Sequence, residues 1–225
     1  MKKISSLIFI SLIILFSISA CNLKPFQLET DQDCSSPCWH HIVPGQTTKQ
    51  EMLSILEQIP EVQAGSIWSK GESWNSFNDV ARFSLSNKVD VEVYFYNNKV
   101  ALMYFYGKTR VTIGDMINKV GEPENLLTIY LAYGPFRLDG SPHKIVYLLN
   151  PEKGIAYRYD SLDIPKSWRS EIRPDIKISG IDYFDPGVYH SLLEVGMFPM
   201  GDISKETLDR MKPWTGFGKL PDIDN

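Results

Sequence analysis

The chain has 225 residues, of which 43% are hydrophobic and 22% are charged, and this composition is typical of a globular protein. The formal net charge is −4, and because nucleic-acid binding depends on a basic surface, we expect no nucleic-acid partner. The length allows one larger domain or two small ones, and the patterns along the chain favour two.

The first twenty residues have the three parts of a secretory signal. Lys2 and Lys3 form a basic start, residues 7–16 form an apolar run interrupted only by Ser11, and small residues precede Cys21. A helix that crosses a bilayer needs roughly twenty apolar residues, whereas this run has about ten. The pattern predicts that residues 1–20 are cleaved and that the remaining chain is exported.

The residues Ile18-Ser19-Ala20-Cys21 resemble the lipobox of bacterial lipoproteins. The resemblance implies that Cys21 carries acyl chains such as palmitate and becomes the new N-terminus. Each buried methylene contributes roughly 0.8 kcal/mol, so several acyl chains would anchor the protein to the membrane on its extracytoplasmic side. The alternative is an ordinary signal peptide followed by a coincidental cysteine.

Residues 21–33 are polar, show little periodicity and include Pro25, which predicts a flexible tether. Beyond the tether, Cys34 and Cys38 are the two cysteines that remain once Cys21 is modified, and export places them in an oxidising compartment. We therefore predict a disulfide between them, which closes a loop too short to add much stability through chain entropy.

A metal-handling or redox site is the alternative for this segment. Cys34, Cys38, His40 and His41 offer thiolate and imidazole ligands of the kind that bind zinc or copper, although adjacent histidines seldom bind one ion. The CxxxC spacing also resembles the copper-handling cysteine pair of thioredoxin-like exported proteins, but no βαβ pattern surrounds it. Our prediction is a structural disulfide with no metal and no cofactor.

Residues 34–108 form the first predicted module, a helix followed by an antiparallel sheet. Thr48 and Glu51 have the spacing of a capping box, in which each side chain satisfies a backbone N–H of the first turn. Pro60 ends the helix. Its apolar face has the helical period and consists of Met52, Ile55, Leu56 and Ile59.

Strand-like runs follow at 66–70, 79–85, 89–96 and 99–106, and the last two form a hairpin around Asn97-Asn98. A regular register from this turn predicts two distinct faces. The buried face would consist of Val89, Val91, Val93, Phe95, Val100, Leu102, Tyr104 and Tyr106. The opposite face would present Tyr94, Tyr96, Met103 and Phe105, where a solvated sheet carries polar residues.

Tyr and Met are favoured at recognition surfaces, so we hypothesise that Tyr94, Tyr96, Met103 and Phe105 bind a partner. The alternative is that another part of the chain covers these side chains and that the face belongs to the core. The solvent exposure of Tyr94 and Phe105 distinguishes the two interpretations.

Residues 109–185 form the second predicted module, because the helix pattern starts again there. Thr112 and Asp115 repeat the capping pair of the first module at an offset of 64 residues. The predicted helix ends at Gly121, and its apolar face carries Met116, Ile117 and Val120. Strand-like runs follow at 126–133, 144–149, 155–159 and 175–184. A chance coincidence of two capped amphipathic helices is the alternative.

The order of a Pro44-Gly45-x-Thr47 start, a short helix, a Gly/Pro stop and a meander resembles the modules of SmpA/OmlA-type outer-membrane assembly lipoproteins and of tandem-repeat β-lactamase inhibitory proteins. The resemblance covers residues 42–184. It implies an α+β fold of two tandem modules, each a short helix packed on an antiparallel sheet, and binding rather than catalysis. The first helix lacks the glycine of that pattern, the second start lacks Pro-Gly, and no partner-binding residue is carried over.

Residues 186–225 are predicted to form a helical tail. Asp185 has the position of a helix cap with Pro186 after it, and a second short helix is predicted at 203–211. Trp214 and Phe217 then bring aromatic side chains back to the body of the protein. The alternative for these aromatic residues is a ligand-binding loop at 214–218.

The sequence contains none of the GxSxG, HExxH, P-loop or GxGxxG patterns of common catalytic sites. His143 and His190 fit surface or packing positions, and an acid–base pair of Asp182 and Asp185 would compete with the capping role of Asp185. We therefore predict an exported, lipid-anchored cell-envelope protein that binds another envelope protein or a glycan and has no enzymatic activity. The alternative is a metal-handling or redox lipoprotein.

Overall fold

The structure is a computed structural model that describes residues 34, 37–74, 77–86, 88–107, 109–131, 143–161, 163, 165, 167, 170–194 and 211–220. The predicted signal peptide, Cys21 and the tether lie outside these ranges, as does most of the helix predicted at 203–211. Among the described helices, none has both the length and the apolar character that a membrane crossing requires.

Three short α-helices lie in the described ranges: α1 (Lys49–Leu56), α2 (Ile113–Val120) and α3 (Tyr189–Glu194). Both predicted capping boxes are present. The backbone N–H of Glu51 donates to Thr48 Oγ1 at 3.3 Å, and that of Asp115 donates to Thr112 Oγ1 at 3.1 Å. Gly121 ends α2 at a φ of 88°, a conformation that favours glycine.

Nine of the eleven strands in the described ranges belong to one antiparallel sheet. Its strands and those of a small second sheet are β1 (Trp68–Trp74), β2 (Phe77–Ser84), β3 (Asp90–Tyr96), β4 (Lys99–Tyr106), β5 (Asn125–Leu131), β6 (His143–Asn150), β7 (Ile155–Asp160), β8 (Glu171–Ile172), β9 (Gly180–Phe184), β10 (Lys212–Pro213) and β11 (Gly218–Lys219). The nine-stranded sheet has the order β1-β2-β3-β4-β9-β7-β6-β5-β10, and β11 pairs with β8.

The α+β class predicted from the sequence is confirmed, with one antiparallel sheet as its main element. The strands of both predicted modules join in that sheet, because β4 of the first half pairs with β9 of the second. Residue 104 pairs with residue 182 at the centre of this junction. The contact between the halves therefore includes a row of backbone hydrogen bonds.

One side of the sheet, which we call the helix face, packs against α1 and α2. Met52 and Leu56 of α1 and Met116 of α2 are buried against it, as predicted. Ile117 and Val120 are half-buried. Burying a side chain of this size contributes roughly 1.5–3 kcal/mol, so this layer supplies much of the stability.

The predicted faces of the β3–β4 hairpin are wrong for most of β4. Tyr94 pairs with Leu102, whereas Phe95 pairs with Val100, so Ala101 is one extra residue on β4. Such a bulge moves every following side chain to the opposite face. Met103 and Phe105 consequently lie on the helix face, where they are 0% and 1% exposed, and they do not share a surface with Tyr94 and Tyr96. The bulge also places three side chains on the opposite side of the sheet, with Tyr94 and Tyr96: Leu102, Tyr104 and Tyr106.

The described part of the tail also differs from the predicted helical tail. After α3, residues 211–220 run in extended form, and β10 and β11 pair with β5 and β8. The backbone N–H of Trp214 donates to Glu124 O at 2.9 Å. Pro213 and the glycines at 216 and 218 favour this extended course, because proline lacks the N–H and glycine carries an entropic cost in a helix.

Candidate binding face

The side of the sheet opposite the helix face carries five tyrosines, and we call it the tyrosine face: Tyr94, Tyr96, Tyr104, Tyr106 and Tyr147. The bulge at Ala101 creates it, because it brings the even-numbered tyrosines of β4 to the side of those of β3. Three of them, at positions 94, 96 and 106, are half-buried, and the other two are buried. One end of this side of the sheet is covered by α3.

A cross-strand row runs over the tyrosine face from the edge of the sheet to its centre. In this row each residue is paired directly with the next across the strands β1, β2, β3, β4 and β9: Trp68, Arg82, Glu92, Tyr104 and Asp182. Directly opposed side chains on one face lie close enough to interact. Trp68 and Arg82 at the outer end of the row are exposed, Glu92 is half-buried, and Tyr104 and Asp182 at the inner end are buried.

The outer end of the row is an exposed cluster of aromatic and charged side chains. The guanidinium of Arg82 lies 5.4 Å from the centre of the Trp68 ring, and its Nε is 2.7 Å from Glu92 Oε1. The Tyr94 hydroxyl donates to Glu92 Oε2 at 2.9 Å. Burial, with the charge of Glu92 beside it, raises the pKa of Tyr94, so its hydroxyl stays protonated and remains a donor.

The inner end of the row is a buried ion pair. Arg158 Nη1 contacts Asp182 Oδ1, and Arg158 Nη2 donates to Phe105 O at 3.3 Å. The guanidinium lies 4.9 Å from the ring centre of Tyr106. Any side chain at Gly180 would collide with this guanidinium, which explains a glycine inside the strand.

Burial disfavours the charged form of both partners, but only in Asp182 does burial outweigh the attraction of the partner's charge. Burial raises the pKa of Asp182 to about 6, although Arg158 acts in the opposite direction. Burial alone would lower the pKa of Arg158, but Asp182 outweighs it and the net shift is upward. Near neutral pH the pair is therefore ionised, and protonation of Asp182 below about pH 6 would remove the carboxylate charge.

Asp182 and Asp185 do not form the acid–base pair considered from the sequence. Asp182 lies within the sheet, whereas Asp185 accepts a hydrogen bond from the Gly187 N–H at 2.8 Å and caps the turn before α3. Complete burial separates Asp182 from any substrate that approaches from solvent. This arrangement is suited to fixing the geometry of the sheet.

The cysteine and histidine residues singled out in the sequence lie near the start of the described chain. Cys34 and Cys38 are joined by a disulfide, and both are buried. His40 and His41 form the two-residue turn between Trp39 and Ile42, with φ values of 46° and 63°. Across the described ranges, no group of three or more His, Cys, Asp or Glu side chains is placed to hold a metal ion.

His41 also lines an open groove of about 650 Å³ beside α1, together with Gln46, Gln50 and Glu51. His143 begins β6, and His190 is exposed on α3. This groove lies at α1 and contains no residue of the cross-strand row.

Sequence reasoning missed Arg158 and Tyr147, which lie beside Asp182. The signal for Arg158 was present, because it is one charged residue inside the apolar strand pattern of β7, Ile155–Asp160. An arginine in such a strand is usually assigned to a solvated face. The burial of Arg158 can be inferred only once it is known that β9 places the carboxylate of Asp182 beside it.

Comparison of the chain with protein-family models, with curated proteins and with solved structures finds no match. The resemblance to tandem-module lipoproteins and inhibitory proteins therefore stays a prediction.

Proposed function

We propose that this protein is an exported, lipid-anchored binding protein of the cell envelope, without enzymatic activity, and that its partner binds the tyrosine face. The observation that carries the proposal is the exposed outer end of the cross-strand row. Trp68, Arg82 and Tyr94 meet there, and Trp, Tyr and Arg are the residue types that contribute most energy at protein interfaces.

The side chains at the inner end of the row are held rigidly by their neighbours, which supports the same interpretation. The tyrosines at 94, 104 and 106 contact one another at ring distances of 5.7 and 5.8 Å, and Arg158 holds the innermost two. Side chains that are already ordered lose less entropy on binding. A face built on paired strands and locked by a buried ion pair is therefore suited to recognition.

We also propose that the chain consists of two tandem modules whose last strands pair. The Lys49 N–H donates to Asn98 O at 3.0 Å and the Ile113 N–H donates to Ile176 O at 2.9 Å. In both halves the start of the helix thus contacts the residues that lead into the last strand. The isolated bridges of Thr48 with Lys99 and of Thr112 with Lys177 repeat the same relationship.

The lipid anchor is tested by replacing Cys21 with serine in the full chain and separating membrane from soluble fractions. If Cys21 is acylated, the wild-type protein partitions into the detergent phase and Cys21→Ser does not. Equal partitioning of both proteins would contradict the anchor. Metabolic labelling with palmitate on the same samples reports the modification itself.

The binding face is tested by capture from native membranes with three variants. Trp68→Ala and the double variant Tyr94→Ala/Tyr96→Ala remove aromatic surface from the tyrosine face, whereas Phe217→Ala removes a side chain of similar exposure elsewhere. We expect the partner of the wild-type protein to be lost by the first two variants and retained by the third. Retention by all three would contradict the proposal.

The partner class is read from the same capture experiment. An envelope protein remains bound after glycosidase treatment of the membranes, whereas a glycan ligand is lost. The metal-handling or redox alternative is tested separately with a free-thiol assay. The disulfide between Cys34 and Cys38 predicts no reactive thiol from these two residues, and a reactive pair would favour the alternative.

A further inference from the structure

The exposed outer end of the cross-strand row is organised around one arginine. Arg82 contacts Glu92 Oε1 through its Nε at 2.7 Å, and its guanidinium lies 5.4 Å from the centre of the Trp68 ring. About half of the Arg82 side chain, 51%, is nevertheless exposed. A guanidinium is a planar fork whose two Nη groups also carry N–H donors. The Nη end of the fork is therefore the part of Arg82 that a partner can contact.

The same cluster offers a partner more hydrogen-bond donors than acceptors. Glu92 Oε1 faces Arg82, and Glu92 Oε2 accepts from the Tyr94 hydroxyl at 2.9 Å, so both oxygens of this carboxylate are engaged. Only 21% of the Glu92 side chain is exposed. The indole of Trp68 adds a donor and no acceptor. The group that complements this cluster is therefore an anionic acceptor.

We propose that Arg82 binds a carboxylate of the partner, and that this carboxylate belongs to an acidic side chain of an envelope protein. The inference rests on the proposed function, because it names the group that the binding face recognises. A carboxylate matches the guanidinium fork and can accept two parallel hydrogen bonds from it. Trp68 and Glu92 hold the guanidinium in place before the partner arrives, which reduces the entropy lost on binding.

An acidic protein side chain fits this cluster better than an acidic sugar does. Arg82 covers one face of the Trp68 ring, which reduces the flat aromatic area on which a sugar ring could stack. A further negative charge, Asp90, lies on the same face and accepts a hydrogen bond from the Ser84 hydroxyl at 2.6 Å. This charge opposes attraction of an acidic partner from a distance. Recognition therefore depends on the direct contact between carboxylate and fork.

Matched small probes test the carboxylate contact directly. The full chain in detergent micelles is titrated with N-acetylglutamate methylamide, with its uncharged glutamine analogue and with glucuronate, while NMR follows the Nε–H of Arg82. We expect saturable shifts with the glutamate probe and severalfold weaker binding of the other two. Arg173 is the control, because its Nε also contacts a carboxylate, that of Asp175 at 3.1 Å, outside the cross-strand row. No saturable shift at Arg82, equal shifts at both arginines, equal binding of the glutamate and glutamine probes, or binding of glucuronate at least as tight as that of glutamate would overturn the proposal.

The variant Arg82→Lys distinguishes this inference from the proposed function. Lysine keeps a positive charge beside Glu92 but lacks the fork, and circular dichroism shows whether the variant is folded. We expect Arg82→Lys to reduce severalfold the capture of the protein that the wild-type chain retrieves from native membranes, whereas Arg173→Lys retains it. Full capture by Arg82→Lys with loss by Trp68→Ala would overturn the carboxylate contact and leave the binding face in place. Full capture by both Arg82→Lys and Trp68→Ala would contradict both proposals.

Discussion

The buried pair of Arg158 and Asp182 gives the sharpest prediction about this fold. Arg158 is 5% exposed and Asp182 is 0% exposed, so removing either partner leaves the other buried without its counter-charge. Breaking a buried pair in this way typically costs about 3–5 kcal/mol. We expect both Arg158→Met and Asp182→Asn to lower the free energy of unfolding by an amount in this range.

The double variant Arg158→Met/Asp182→Leu distinguishes the cost of leaving one group unpaired from the net contribution of the ion pair to the free energy of unfolding. Because it leaves no buried charge, it should be close to the wild-type protein in stability or above it. The measurement is urea unfolding followed by tryptophan fluorescence. Arg173→Met is a matched control, because it breaks an exposed arginine–aspartate pair with Asp175 and should cost far less than either buried variant.

The pH dependence distinguishes the two single variants. Burial has raised the pKa of Asp182 to about 6 while Arg158 opposes this rise, so losing Arg158 moves the pKa further up. Above pH 6 the folded Arg158→Met variant then holds a proton that the wild-type protein has released, and its stability falls more steeply with pH. We expect its cost to be larger at pH 8 than at pH 6. Asp182→Asn keeps a permanent arginine charge, so its cost should be constant in this range.

These predictions fail together if the pair is not buried as described. Costs below about 1 kcal/mol for both single variants would place Arg158 and Asp182 in solvent. A double variant as unstable as the single variants would show that side-chain packing outweighs charge. Either result would contradict the proposal that the buried ion pair holds the inner end of the cross-strand row rigid.

Three further predictions concern the rest of the fold, all measured by urea unfolding. Thr48→Ala and Thr112→Ala each remove a capping box and should cost about 1 kcal/mol; no effect would contradict the caps. Leu56→Ala empties a position that is 1% exposed and should cost about 2–5 kcal/mol, whereas the control Glu57→Ala on the exposed side should cost little. Cys34→Ser/Cys38→Ser opens a short loop and should cost no more than roughly 2 kcal/mol, the low end of what disulfides contribute, because the entropy gained by a loop of this length is small; a much larger loss would show that the loop holds the core together.

The local parts of this fold could be predicted from the sequence. The capping boxes at Thr48 and Thr112 depend on residues three positions apart, and both helices begin where predicted. The alternation of Val91, Val93 and Phe95 placed β3 correctly with its apolar residues on the helix face. In each case the interactions that decide the structure lie within a few residues of one another.

The candidate face could not be predicted because its determinants are distant in the chain. The turn at Asn97-Asn98 indicates a regular hairpin, yet Ala101 adds one residue and reverses the faces of β4. The pairing of β4 with β9 joins segments about eighty residues apart, and no local pattern specifies it. The ion pair at the centre of the face depends on the same long-range pairing.

Site-specific photocrosslinking in cells shows whether a partner binds the tyrosine face. A photoreactive phenylalanine is placed at position 94 or at position 68, and at position 217 as the control, since Phe217 is similarly exposed outside this face. We expect a discrete crosslinked product from positions 94 and 68 and none from position 217. A product from position 217 alone, or the same products from all three positions, would contradict it.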